Sequence, residues 1–279
     1  MAARRNASRF PPARCAALTD RTPAAPPSVP ILGIPLALTD YTAVIEWIDA
    51  MIASSSRGSL SAAAVHLVML AQEDADVRRA VLDATLVVPD GQPLVWALRA
   101  LGHRSATRVY GPDLMARYCA HAAHSGTPAF LYGGRSEAVL VELSLRLRTR
   151  FPGLELVGGH SPPFREPTPQ EDEEVAARID ASGAQVVWVG IGQPRQEQWM
   201  ARMRPRLAAP MLIAVGAAFD FHAGLVPQAP AWMGQRGLEW TYRLAREPRR
   251  LWRRYARYNP RFVAAFARQY AAQRRRSQR

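Results

Sequence analysis

Between residues 31 and 215, short apolar runs alternate with amphipathic stretches, which predicts strands and helices in turn. Residues 31–38 predict a strand pair, or a strand and turn. Thr39-Asp40 predicts the start of a helix running to about Ala53. Residues 60–67 are apolar and strand-like, 73–84 have helical spacing, and 85–89 form a short β-branched strand ending at Asp90-Gly91. Further helices are expected over 92–101, 113–124, 137–150, 168–181 and 194–203, and further strands over 129–132, 154–157, 185–189 and 211–215. The acidic first turn Glu171 to Glu174 suits a helix N-terminus, and Pro194 suits a first helical position.

Short strands alternating with helices predict an α/β fold: a Rossmann-like, mainly parallel sheet with helices on both faces. Ligands of such sheets sit beyond the carboxyl ends of the strands. The candidate site is therefore the set Asp90-Gly91, Gly133-Gly134, Gly190 to Gln193 and Gly216 to Asp220. From about Trp232 the pattern changes. Arginines from Arg243 to Arg257 interleave with Leu244, Leu251, Trp252, Tyr255 and Tyr258 at three- and four-residue spacings. That predicts a basic amphipathic helix, interrupted near Pro260, with Phe262, Phe266 and Tyr270 extending its apolar face. Basic and aromatic residues together suit a helix lying on an anionic membrane surface. The expected organisation is a disordered leader at 1–28, an α/β domain at 29–232 and a basic helical C-terminal appendage at 233–279.

Charge sharpens this division. Of the net +13, residues 241–279 contribute +12, from thirteen arginines and Glu247, and residues 1–28 contribute +4. The stretch 29–240 then carries −3, so the positive field belongs to the tail, and its partner is an anion. Every basic residue is arginine, which grips a diphosphate in a bidentate way better than lysine. Two cysteines, Cys15 and Cys119, make no disulfide framework and fit a reducing cytosol. Apolar runs fall short of the roughly 18–20 residues a membrane span needs. The Pro- and Arg-rich leader has no apolar core of a secretory signal.

Four groups could carry chemistry. Asp90, after a buried strand, is placed to act as a general base, although on position alone a helix cap is the plainer reading. Gly190-Ile191-Gly192-Gln193, after a strand and opening a helix, could receive an anion, but the third glycine of the dinucleotide fingerprint is missing. Cys119, His121 and His124 offer three ligand types with no fourth in view, and read as a polar helix face. Asp74-Ala75-Asp76 resembles a metal-binding Asp-x-Asp but falls where a helix start expects acids.

Six stretches together resemble the WecG/TagA/CpsF glycosyltransferases across about residues 31–262. They are Val88-Pro89-Asp90-Gly91; Arg108-Val109-Tyr110-Gly111-Pro112-Asp113-Leu114; Phe130-Leu131-Tyr132-Gly133-Gly134; Gly192-Gln193-Pro194-Arg195-Gln196-Glu197; Val215 through Phe221; and Gly237-Leu238-Glu239-Trp240 leading to Tyr242-Arg243-Leu244 and Glu247-Pro248-Arg249-Arg250. The resemblance implies an inverting transferase that needs no metal or other cofactor. It would move a hexose, N-acetylmannosamine-type or uronic unit from a UDP-sugar to a polyprenyl-diphosphate-linked saccharide. Work at the cytoplasmic face of the plasma membrane, toward a surface polysaccharide, is implied with it, and so is association of like copies. By the match, Asp90 is the catalytic base. Arg108, Asp113, Gly133, Gly192, Gln193, Gln196 and Glu197 serve the sugar-nucleotide pocket. Arg243, Arg250 and Arg253 are the C-terminal arginines that close on the diphosphate. Two positions depart from the family pattern. Ala62 and Ala64 stand where it has a Thr-x-Asn pair, with His66 close by as a stand-in, and Gln228-Ala229-Pro230 stands where it has Arg-Ala-Pro.

Three other readings compete. A dinucleotide oxidoreductase needs a glycine fingerprint that is missing. A nucleic-acid binder would use the arginine tail, but the −3 domain offers no extended basic groove. A non-catalytic, membrane-associated scaffold of the same pathway would explain the lost Thr-x-Asn pair.

Overall fold

The computed structural model describes residues 22–235 and 237–277; the leader from 1 to 21, with Cys15, lies outside them. The chain opens with an antiparallel hairpin, β1 (Ser28–Ile31) and β2 (Ile34–Ala37), turned by Leu32 and Gly33, both at positive φ. Then follow α1 (Tyr41–Ala53), β3 (Gly58–Ala63), α2 (Val65–Glu73), α3 (Ala75–Leu82), β4 (Leu86–Pro89), α4 (Gln92–Ala100) and α5 (Gly111–Ser125). Next come β5 (Ala129–Gly133), α6 (Glu137–Arg150), β6 (Leu156–His160), α7 (Pro169–Ala181), β7 (Val186–Gly190), α8 (Arg195–Met203) and β8 (Met211–Ala214). The chain ends in α9 (Ala218–His222), α10 (Ala231–Gln235), α11 (Glu239–Arg246) and α12 (Pro248–Ser277).

Strands β3 to β8 form one parallel sheet in the order β4-β3-β8-β7-β5-β6. Period-two alternation sends their side chains to opposite layers. Leu86, Val88, Leu60, Met211, Ile213, Val186, Trp188, Ala129 and Leu131 face a core shared with α1, α5 and α6. Phe130, Tyr132, Val187, Val189, Leu212 and Ala214 face α7 and α8. Val87 and Ala63 face a third cluster, built with the hairpin, α2, α4 and α12. Helices therefore cover both faces, as expected of strands buried on each side.

Several boundaries differ from the sequence expectation. The run at 60–67 is a strand only to Ala63, and its remainder begins α2, because apolar content alone does not separate a buried strand from a buried helix. Helical spacing from Glu73 onward conceals a break. Glu73 ends α2, and Asp74 caps α3 through the amides of Asp76 and Val77. Strand β6 is shifted to 156–160 and contains Gly158 and Gly159, poor strand formers. A Cβ on Gly158 would lie 2.6 Å from the Phe130 ring, and one on Gly159 2.9 Å from Leu140, so packing rather than propensity selects glycine there. The expected interruption at Pro260 does not occur; α12 runs through it, with the proline on the exposed side and Tyr258 and Phe262 buried on the other.

The tail helix is not a loose appendage. Leu251, Tyr258 and Phe262 are buried, and the last two complete the cluster beneath the hairpin. Gln269 accepts from the Leu32 amide and donates to the Pro30 carbonyl, satisfying two backbone groups of the turn at 2.8 Å each. Part of the apolar stripe that the sequence offered to a membrane is thus spent on the protein's own core, while Trp252 stays exposed. Among the described residues, no helix is long and apolar enough to cross a membrane.

Candidate active site

All six strands of the parallel sheet deliver residues to one crevice of about 490 Å³ at their carboxyl ends. It is lined by Ala62, Ala64 and His66 after β3, Asp90 after β4, and Gly134 and Arg135 after β5. Pro162 to Phe164 follow β6, Gly190 to Gln193 follow β7, and Val215 to Ala217 with Asp220 follow β8. Arg243, Glu247 and Arg254 from α11 and α12 close it. Four guanidinium groups, those of Arg135, Arg195, Arg243 and Arg254, face this space against three carboxylates, Asp90, Asp220 and Glu247.

Asp90 does not cap α4, the helix that follows it; that helix begins at Gly91 without a side-chain cap. Its Oδ1 instead accepts the amide of Gly111 at 2.8 Å, at the start of α5. Burial pushes its carboxyl up to about 6, against the opposing pull of Arg108, the Gly111 amide and Arg243, while Glu239 adds to the rise. A carboxylate so tuned is ionised at neutral pH and basic enough to take a proton from a hydroxyl.

Arg108 stands behind this base rather than in the crevice. Its guanidinium pairs with Glu239 at 2.8 Å, lies 4.1 Å from the centre of the Tyr110 ring, and donates from Nε to the Asp90 carbonyl. Burial works against its charge, but Asp90 and Glu239 outweigh that and hold it above the ordinary arginine value. Arg108 therefore fixes the Asp90 turn and ties it to α11.

Arg243 lines the crevice over the Phe221 ring, and its Nε is buried without a hydrogen-bond partner. Of the other two tail arginines expected in the site, Arg253 is exposed, over Trp252, and the side chain of Arg250 lies outside the described part. Arg254 takes the place expected of Arg253. Residues three and four apart share a helix face, so Arg254 lies on the side of Leu251 and Tyr258 that turns toward the domain.

The glycine-rich turn after β7 is split in role. Gly192, at φ +84 with open space around its Cα, and Gln193 line the crevice. Gly133 does not reach it. At φ +142 a Cβ there would lie 2.6 Å from the Gly190 carbonyl, so Gly133 lets β5 and β7 approach and brings Arg135 alongside. Asp113 is exposed on the outer side, where Tyr41 and Gln228 donate to it.

Gln196 and Glu197 are fully buried behind the crevice wall. Gln196 accepts from the Gly216 amide at 3.1 Å and donates to Glu197 Oε1 at 2.9 Å. Glu197 Oε1 also accepts from Ser61 at 2.8 Å, while its Oε2 has no partner. These two residues tie β3 to the turn after β8 from beneath. Burial pushes Glu197 up to about 7 from 4.5, against the bonds from Gln196 and Ser61. A raised carboxyl favours folding most below its unfolded value, and that contribution is lost as pH rises through the folded value. Wild type is therefore expected to lose roughly 3 kcal/mol of stability from this group between pH 4.5 and above 7. In Glu197→Gln the new amide nitrogen replaces an oxygen that bonds nothing, so urea midpoints should become flatter across that window. An unchanged pH slope in the variant would exclude Glu197 as the source.

Arg135 and the 161–167 loop, which the sequence reading did not single out, complete the far side with Asp220 and Arg195. Arg135 grips Asp220 with two bonds, of 3.0 and 2.8 Å. Arg195 donates to the carbonyls of Pro163 and Arg165 and so holds the 161–167 loop, with exposed Phe164, over the opening. Arg135 lies one residue past the Gly133-Gly134 turn, and that adjacency was its available signal. The metal-like groupings are dispersed: Cys119 is buried in the core, His121 contacts Asp49 at 2.7 Å, His124 bonds the Ala120 carbonyl, and Asp74 is a helix cap. Among the described residues, no three His, Cys, Asp or Glu side chains gather to hold a metal ion.

The doubly wound α/β sheet thus carries at its strand ends an arginine-lined crevice and a buried carboxylate tuned toward neutrality. Residues 29–276 match the model of the glycosyl transferase WecG/TagA/CpsF family, and the chain belongs to that family. It is a glycosyltransferase of cell-envelope polysaccharide synthesis, a family whose members use a sugar donor and a lipid-linked acceptor.

Proposed function

We propose that the protein transfers a hexose, N-acetylhexosamine or uronic acid unit from a UDP-sugar to a polyprenyl-diphosphate-linked saccharide, with inversion and without a metal. Asp90 carries this reading, because it joins a near-neutral carboxylate to a crevice rich in guanidinium groups. Its carboxylate takes the proton of the acceptor hydroxyl as that oxygen bonds to the anomeric carbon. The bond from the anomeric carbon to the diphosphate oxygen breaks, and UDP leaves with the electron pair. Arginines supply the positive charge that the leaving diphosphate needs. Arg243, with its buried, unpartnered Nε, suits that role first.

The lipid-linked acceptor belongs at a membrane surface, and exposed tryptophans support one. Trp47, Trp188 and Trp199 are buried, whereas Trp96, Trp232, Trp240 and Trp252 are exposed on α4 and α10 to α12. A Cβ on Gly237 would lie 3.3 Å from the Trp96 ring, and Trp240 meets Tyr255 edge-on, so α4, α11 and α12 adjoin on this side of the crevice. Indole rings set among arginines suit the interface of an anionic leaflet. The inner face of the plasma membrane is the proposed location.

The test is UDP release from a panel of UDP-sugars with a short-chain lipid-diphosphate saccharide, in detergent with EDTA. Turnover with one donor that persists in EDTA is expected. Turnover abolished by EDTA and restored by a divalent ion would overturn the metal-independent mechanism. Donor binding without turnover for any acceptor would favour the scaffold reading.

A further inference from the structure

His66 lies near the start of α2, just beyond the end of β3, and lines the crevice. The Asp90 turn packs against this helix start; a Cβ on Gly91 would lie 3.4 Å from the Val65 nitrogen. His66 therefore belongs to the reacting end. The wall beside it is bare, since Ala62 and Ala64 offer only methyl groups. Polar recognition at this end falls to His66, Gln193 and Arg254.

Gln193 sets how His66 is presented. Its Nε2 donates to the Ala62 carbonyl at 2.7 Å, and its side chain also hydrogen-bonds His66. That contact favours the proton-bearing imidazole, so it is the amide oxygen that faces the ring. An amide oxygen only accepts, so the ring nitrogen facing it carries the hydrogen. Tyr258 of α12 meets the imidazole edge-on, with ring centres 5.9 Å apart, and limits its rotation. Burial, and then the charge of Arg254, push the imidazole down to about 4, so the ring is neutral at physiological pH. A neutral ring protonated toward Gln193 has a lone pair on its other nitrogen.

We propose that this second nitrogen of His66 positions the transferred sugar, accepting a hydrogen bond from one of its hydroxyls or from an acetamido N–H. The proposal rests on the transferase reading above and gives His66 a positioning role beside the base, Asp90. It names a substrate feature: the transferred sugar must present a donor group to this corner, where this chain has bare alanines.

Calorimetry with the panel's active UDP-sugar and with UDP alone tests it on the full chain. His66→Ala should weaken UDP-sugar binding about tenfold, the equivalent of one lost hydrogen bond, and leave UDP binding unchanged. His66→Gln, whose amide oxygen can accept, should recover most of the loss. Equal weakening of both ligands, no weakening, or a Gln variant as poor as Ala would overturn the proposal. Ring ¹⁵N shifts of His66 in wild type decide independently of turnover. A single neutral tautomer from pH 5 to 8 is expected, and a titration inside that window would overturn the proposal. If Asp90→Asn remained active, the mechanism through Asp90 would fail, while these ring shifts would still decide the state of His66.

Discussion

Asn in place of Asp90 is expected to reduce turnover by about 10²–10⁴-fold, the range lost when a positioned general base is removed. The prediction is clean because the fold does not need the charge. An asparagine oxygen can still accept the Gly111 amide, and burial already disfavours the ionised form. Circular dichroism should therefore match wild type, and the thermal midpoint at neutral pH should be no lower, because the buried Asp90 charge costs stability there. The pH profile adds a second arm. Asp90 is active when deprotonated, so kcat/KM should rise with pH through about 6 and then level. In Asp90→Asn that acid limb should vanish along with most of the rate. A variant within threefold of wild type, or one with the same acid limb at lower rate, would remove Asp90 as the base. Arg108→Gln should move the limb upward, because its charge opposes the rise of the Asp90 carboxyl.

Legibility in the sequence followed the range of the interactions involved. The parallel sheet was readable because each strand is a short apolar run with a polar helix after it, and Asp90, Gly192 and Gln193 could be placed at strand ends by that logic alone. Long-range geometry was not readable. Gln196 and Glu197 sit in a motif whose first residues line the crevice, yet one helical turn carries these two behind the wall. Arg253 and Arg254 differ by one residue and about 100° of helix rotation. The phase of α12 is set by what Tyr258 and Phe262 bury, and that surface comes largely from the hairpin and α2, some two hundred residues earlier. Asp90 shows the same limit from the other side. Its capping partner is Gly111, twenty-one residues on, and not the helix next to it.

Deleting α12 is expected to destabilise the whole α/β domain, and not merely to detach it from a membrane. Burial of Leu251, Tyr258 and Phe262 is worth about 5–9 kcal/mol before entropy is charged against it, at roughly 1.5–3 kcal/mol per side chain. Domains of this kind have about 5–15 kcal/mol in total. The deletion would also expose Ile31, Ile34 and Leu36 of the hairpin and remove the Gln269 bonds to its turn. The ion pairs of Glu73 with Arg257 and Arg261 add little, because both arginines are solvent-exposed. A chain ending at residue 247 should therefore be largely insoluble, or unfold at a much lower urea midpoint, and its loss of activity would carry no information about membranes. Surface changes separate the two roles. Trp240→Ser with Trp252→Ser removes exposed rings and should leave the urea midpoint within experimental error. The same pair should reduce flotation with vesicles of anionic lipid about tenfold or more, in a salt-dependent manner. A truncated chain that stays folded would refute the structural role of α12, and unchanged flotation of the double variant would refute the tryptophan surface.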